Sequence, residues 1–171
     1  MDDDLTFLAD DSFIWTSEAN GFNHLYLYGR DGKLKNQITT GNWLVRQIRH
    51  IDKKNREIYF TAGGKEEGNP YHVYLYKVGF DGGKITNLTP DKGTHTINFS
   101  PDHSFFVDTY STTTQAPVSV LRNNNGEKIA DLETADISDL EAQGWKAPIE
   151  FNVKARDNKT DLYGVLFLPT N

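Results

Sequence analysis

The sequence predicts an all-β chain built from consecutive four-stranded propeller-type blades. Three observations predict it: an internal repeat of about 47–48 residues, period-two alternation of apolar and polar residues within each copy, and Asp-Gly or Asn-Gly turns at matching places. The first copy holds His24-Leu25-Tyr26-Leu27-Tyr28, which returns as His72-Val73-Tyr74-Leu75-Tyr76 at a shift of 72 − 24 = 48. The turns Asp31-Gly32 and Asp81-Gly82 follow, and each leads to a strand end, Gln37-Ile38-Thr39 or Asn87-Leu88-Thr89. Upstream of each word stands an aromatic strand, Phe13-Ile14-Trp15-Thr16-Ser17 and then Ile58-Tyr59-Phe60-Thr61-Ala62.

A fainter third copy runs through Val118-Ser119-Val120-Leu121, Asn125-Gly126 and Ile129-Ala130-Asp131-Leu132, with Gly126 lying 126 − 32 = 94 residues after Gly32. Units of this length, each reading as four short strands, are the signature of blades. Residues 44–51 and 94–99 read as the innermost type of strand, entered through Gly41 and Gly93. About three blades do not close a ring, which takes about four to eight. An open arc would expose strand edges through which such a chain could self-associate. The expectation is therefore a partial propeller belonging to a longer protein, and a start Met followed directly by strand-like sequence points the same way.

Composition agrees with a folded strand protein. The 171 residues are 37% hydrophobic and 12% aromatic, with eight Tyr, ten Phe and three Trp, side chains that suit a pleated, half-buried surface. A net charge of −6 speaks against a nucleic-acid partner, which demands a basic surface. Part of that charge is the run Asp2, Asp3 and Asp4, which reads as a solvated terminus. The absence of cysteine removes disulfides, thiol nucleophiles and Cys-type zinc sites. No apolar run reaches membrane-spanning length, and the first residues lack a secretory signal's basic and apolar parts.

After Leu132 the pattern changes. Residues 134–144 read as a short helix that Asp136 or Thr134 could cap and Gly144 ends. Residues 150–156 and 162–168 then alternate as two strands around Asp157-Asn158-Lys159. The expected organisation is a partial propeller at 1–133, a helical linker at 134–149 and the first hairpin of a further domain at 150–171.

Taken together, Phe13-Ile14-Trp15-Thr16-Ser17-Glu18 with Gly21, His24-Leu25-Tyr26, Ile38-Thr39-Thr40-Gly41-Asn42-Trp43, Tyr74-Leu75-Tyr76 and Phe99-Ser100-Pro101-Asp102 resemble the later blades of the dipeptidyl peptidase IV branch of the prolyl oligopeptidase family. Glu150-Phe151 and Tyr163-Gly164-Val165-Leu166-Phe167-Leu168-Pro169 resemble the hairpin that opens that family's α/β-hydrolase domain. The resemblance implies a parent serine exopeptidase, periplasmic or secreted, that releases dipeptides from peptide N-termini. Its propeller would gate and position those N-termini. It also implies that the Ser-His-Asp triad lies past Asn171 and that the substrate-anchoring glutamate pair lies in an earlier motif. The partners implied are the rest of the parent chain and, in the parent, a peptide substrate.

The residues themselves supply no catalytic set. No serine stands in the Gly-x-Ser-x-Gly elbow that exposes a hydrolase nucleophile. His24, His50, His72, His95 and His103 lack local metal-ligand spacing, and neither metal nor cofactor is expected. The shared blade position of His24 and His72 suggests a structural bond to the next loop. Glu66-Glu67, the adjacent acidic pair in loop 63–71, reads as a solvated loop or as an amine-anchoring contact. Trp15 aligns with Phe60 and so reads as blade core, whereas Trp43 aligns with nothing comparable and reads as a loop contact. The site candidates are thus Trp43, Glu66 and Glu67. Two other readings stay open: a stand-alone peptide- or glycan-binding module, and a periplasmic accessory propeller without peptidase, in whose repeats Phe99-Ser100-Pro101-Asp102 also occurs.

Overall fold

The computed structural model describes residues 5–169; the acidic run at Asp2, Asp3 and Asp4 and the last two residues lie outside them. Three four-stranded antiparallel sheets follow one another along the chain. The first comprises β1 (Thr6–Phe7), β2 (Phe13–Ser17), β3 (His24–Tyr28) and β4 (Leu34–Gln37). The second holds β5 (Leu44–Asp52), β6 (Glu57–Gly63), β7 (Val73–Gly79) and β8 (Gly82–Asn87). The third holds β9 (Thr94–Phe99), β10 (Phe105–Ser111), β11 (Val118–Asn123) and β12 (Lys128–Thr134). In each sheet, strands adjacent in sequence are adjacent in space, which is the up-and-down meander of a propeller blade. A helical turn, α1 (Ser138–Ala142), and a hairpin of β13 (Ile149–Lys154) and β14 (Asp161–Leu166) complete the order.

Contacts divide the chain into two compact units, one ending at Pro90 and one beginning at Asp91. In the first unit, Ile14, Leu25, Leu27 and Ile38 of the first sheet share one buried cluster with Ile58, Phe60, Ala62, Tyr74, Tyr76 and Val78 of the second. Burying each such large apolar side chain contributes about 1.5–3 kcal/mol, so period-two patterning is enough to press the two sheets together.

Hydrogen bonds set the true period. The Leu25 N–H donates to Thr39 Oγ1 and the Leu75 N–H to Thr89 Oγ1, each at 2.9 Å. The amides of Ile38 and Leu88 donate to the carbonyls of Leu25 and Leu75, each at 2.8 Å. Leu75 is therefore the counterpart of Leu25, and His24 corresponds to Tyr74 rather than to His72. The repeated five-residue word misled by two residues. Trp15 pairs with Tyr26 as Phe60 pairs with Tyr76, so the spacing grows from 45 residues to 50 between these strands. The loop between β6 and β7 takes up the five additional residues.

Trp15 occupies Phe60's register, as expected, yet is 42% exposed while Phe60 is fully buried. The expectation of a core tryptophan fails because Trp15 stands on the opposite face of β2 from Ile14, which faces the second sheet.

In the second unit, Ile97, Phe106 and Val120 are buried, whereas β12 is exposed along its length. The helix spans only Ser138–Ala142 of the expected 134–144, because Thr134 ends β12; Ile137 is its N-cap and makes no side-chain cap, while Asp136 accepts from Ser138 N at 2.9 Å. Gly144, at φ +87°, ends the helix by donating to Glu141 O. The hairpin turn is held by Asp157, whose carboxylate accepts from the amides of Lys159 and Thr160 and from the Thr160 hydroxyl. Those bonds hold the Asp157 carboxyl down at about 2.

Candidate functional site

The loop that joins the first two sheets carries Trp43. Gly41, at φ +128°, bends this loop so closely over the indole that a Cβ there would come within 2.5 Å of Trp43 Nε1. The ring is 8% exposed, edge-on to His24 at 5.0 Å and stacked with Phe60 at 6.2 Å. Trp43 is a core residue and not an exposed loop contact. A bulky apolar ring beside a glycine that permits the inward turn is drawn into the core.

His24 serves the same junction. Its Nε2 faces the Gly41 carbonyl at 3.0 Å, and its Nδ1 lies 3.1 Å from Thr39 Oγ1. A carbonyl only accepts, so Nε2–H donates to it, while Nδ1 and the threonine hydroxyl share the second bond. The expected bond from His24 to the next loop is present, although the shared position with His72 that suggested it does not hold.

Glu66 and Glu67 separate in role. The Tyr76 hydroxyl donates to Glu66 Oε1 at 2.8 Å, while the Lys65 ammonium lies 5.6 Å from the Tyr76 ring. Burial first, and the Glu66 bond second, hold the Tyr76 phenol well above the ordinary tyrosine value. Glu67 is exposed. An open cleft of about 250 Å³ near this end is lined by Asn20, Phe22, His24, Gln37, Thr40 and Asn42, together with Gly41, and by none of the three residues singled out from sequence.

A second arrangement, which sequence reading missed, is buried in the second unit. His95 Nδ1 meets Asp108 Oδ1 at 2.7 Å, and His95 Nε2 meets the Asp91 carbonyl at 2.8 Å. Both ring nitrogens thus lie within hydrogen-bond distance of an oxygen. Arg122 Nε donates to Asp108 Oδ2 at 2.9 Å, while its Nη2 reaches the Asp91 carboxylate. Arg122 Nη1 closes the set on the Gly126 carbonyl at 3.1 Å. Arg122 thus bridges two carboxylates where Asp108, His95 and Arg122 are all buried. Their separations of 13 and 14 residues carry no motif; the antiparallel pairings Asp108 with Ile97 and Phe106 with Arg122 bring them together. Saturated on every side, this set fixes structure and offers no nucleophile. Among the described residues no group of three or more His, Cys, Asp or Glu is placed to hold a metal ion.

Three successive meander sheets of this kind define a propeller-type blade chain. Residues 1–117 match the family model described as the dipeptidyl peptidase IV (DPP IV) N-terminal region, and the chain belongs to that family. It is 28% identical over 176 aligned positions to the dipeptidyl peptidase 4 of Trichophyton rubrum and, equally, to that of Trichophyton equinum. Each alignment covers 92% of this chain and 22% of the relative, so the chain spans about a fifth of those proteins. The crystal structure of Porphyromonas gingivalis dipeptidyl peptidase 4 superposes with a TM-score of 0.77 at 24% identity, over 98% of this chain and 23% of that one. This likeness bears out the fold.

Proposed function

We propose that the chain is a non-catalytic propeller segment of a dipeptidyl peptidase IV-like serine exopeptidase. In the whole enzyme it would help wall off the active site and position peptide N-termini for dipeptide release. Family membership across residues 1–117 carries this reading, and the absence of a Gly-x-Ser-x-Gly elbow supports it. The expected division is blades to residue 133, a linker at 134–149 and the opening hairpin of a hydrolase domain from 150. In that hairpin Ile149, Phe151, Val153, Leu162 and Leu166 share one exposed face, the kind of surface a following domain would cover. In this reading Glu67 is the loop's available acid, since Glu66 is engaged by Tyr76. The coding sequence beyond Asn171 tests the reading: a Gly-x-Ser-x-Gly elbow followed by Asp and His is expected. A reading frame that ends without one would overturn it in favour of a stand-alone module.

A further inference from the structure

The cleft between Asn20 and Asn42 lies wholly in the first unit, and two loops form its walls. One loop joins β2 to β3 and carries Asn20 and Phe22; the other joins β4 to β5 and carries Thr40, Gly41 and Asn42. No Asp, Glu, Lys or Arg lines the cleft.

The two walls are tied together. Val45 N donates to the Asn23 carbonyl at 2.8 Å, and Asn23 Nδ2 donates to the Val45 carbonyl at 3.0 Å. Asn20 Nδ2 reaches Gln37 Oε1 at 3.2 Å, and Gln37 Nε2 donates to the Thr39 carbonyl at 2.9 Å. His24 adds its bond to the Gly41 carbonyl at 3.0 Å. A cleft braced in this way is shaped before a ligand arrives, which lowers the cost of binding.

The groups left over are polar but neutral. Among the described residues, the Thr40 hydroxyl and the Asn42 amide have no hydrogen-bond partner, and Asn20 Oδ1 has none. Phe22 is 36% exposed, on a turn closed by Gly21 N donating to the Glu18 carbonyl at 2.8 Å. An amide sets a donor beside an acceptor, and a hydroxyl combines both in one group. Sugar hydroxyls call for that mixture, and the apolar C–H face of a pyranose suits a flat aromatic ring.

We propose that this cleft binds a neutral sugar ring, one hexopyranose unit of a glycan. Phe22 would lie against the ring's C–H face, Asn42 and Thr40 would bond its hydroxyls, and Asn20 Oδ1 would accept from one of them. Phosphate and carboxylate ligands find no cation here. Only His24 and Gln37 of the lining belong to strands, each at a strand's end, so no strand edge borders the cleft for a peptide to extend. Its volume of about 250 Å³ is below the roughly 300–1,000 Å³ of drug-sized sites and suits a single ring. The site is independent of the peptidase reading.

The test is an amide-resonance titration of the 171-residue chain with the methyl pyranosides of glucose, galactose and mannose. Sorbitol, which keeps the hydroxyls without the ring face, and the neutral peptide acetyl-Ala-Ala-Ala-amide are the controls. Saturable shifts centred on Asn20, Phe22, Thr40 and Asn42 with at least one pyranoside, and with neither control, are the result expected. Phe22→Ala should weaken that binding by about fivefold or more, as loss of an aromatic face requires. Asn42→Ala should weaken it by about fivefold, the loss expected for a neutral hydrogen bond. Silence with all three pyranosides would overturn the proposal, as would an equal response to sorbitol or the peptide, or binding unchanged in both variants. Both substituted side chains are exposed, and an unchanged spectrum elsewhere confirms that each variant is folded.

Discussion

Trp15 and Phe60 hold equivalent positions in successive sheets, opposite Tyr26 and Tyr76, yet one is 42% exposed and the other fully buried. The difference lies in what covers each face. Phe60 is sealed by the branched side chains of the first sheet and by Trp43. Trp15 stands on the reverse face with Phe13 and Tyr28, whose rings stack at 5.2 Å.

Truncating the two residues should therefore have unequal effects. Phe60→Ala is expected to cost about 3–5 kcal/mol, the usual range for a buried phenylalanine. Trp15→Ala should cost less, since nearly half of that residue is already in water. Urea unfolding of both variants checks this; equal losses would mean that the Trp15 face is covered in solution.

The buried set around Asp108 makes a second prediction. Asp108→Asn leaves Arg122 and His95 facing each other without their shared carboxylate, at an expected cost of about 3–5 kcal/mol. A double-mutant cycle with Arg122→Met should show coupling above about 0.5 kcal/mol, as directly paired groups do. Additive losses would show that the pair contributes only through its separate packing.

Two glycines with positive φ separate backbone strain from crowding. Gly93, at φ +151°, would place a Cβ 2.6 Å from the Ser111 carbonyl oxygen, whereas Gly32, at φ +74°, has open space around it. Gly32→Ala should cost about 1–2 kcal/mol from conformation alone. Gly93→Ala should cost more, because rigid backbone of β10 must move. Thermal unfolding that ranks them the other way would contradict the geometry.

Tyrosine burial predicts the response to alkali. Burial, with the Glu57 and Asp52 charges, pushes the Tyr59 phenol up to about 12, and Tyr76 is raised further. An unfolded tyrosine releases its proton near 10. Between about pH 10 and 12 the native state thus holds more protons than the unfolded one, and stability falls as pH rises. Urea midpoints should drop from pH 9.5 to 11.5, and the drop should shrink in Tyr59→Phe/Tyr76→Phe. An unchanged slope in that variant would assign the loss to other groups.

Much of the fold was legible because alternation and turn residues mark strands locally. Residues 44–51 fall inside β5, and 94–99 is β9. What sequence hid was lateral. The word shared by residues 24–28 and 72–76 suggested one register, and the hydroxyls of Thr39 and Thr89 impose another. Trp43 and Trp15 changed places because neighbouring sheets, not the residues beside them in sequence, decide which aromatic is covered. The His95, Asp108 and Arg122 set exists only through cross-strand pairing. The Glu66-Glu67 pair was visible as charge, but its division between a Tyr76 bond and an exposed side chain needed the loop's shape.

The proposal that these are blades of a peptidase without its chemistry is tested most directly by turnover of Gly-Pro-p-nitroanilide. The purified 171-residue chain is expected to release no p-nitroaniline above a buffer control, while a dipeptidyl peptidase 4 assayed in parallel as a positive control should release it. Turnover by the isolated chain that co-purifies with it through successive columns would contradict the account.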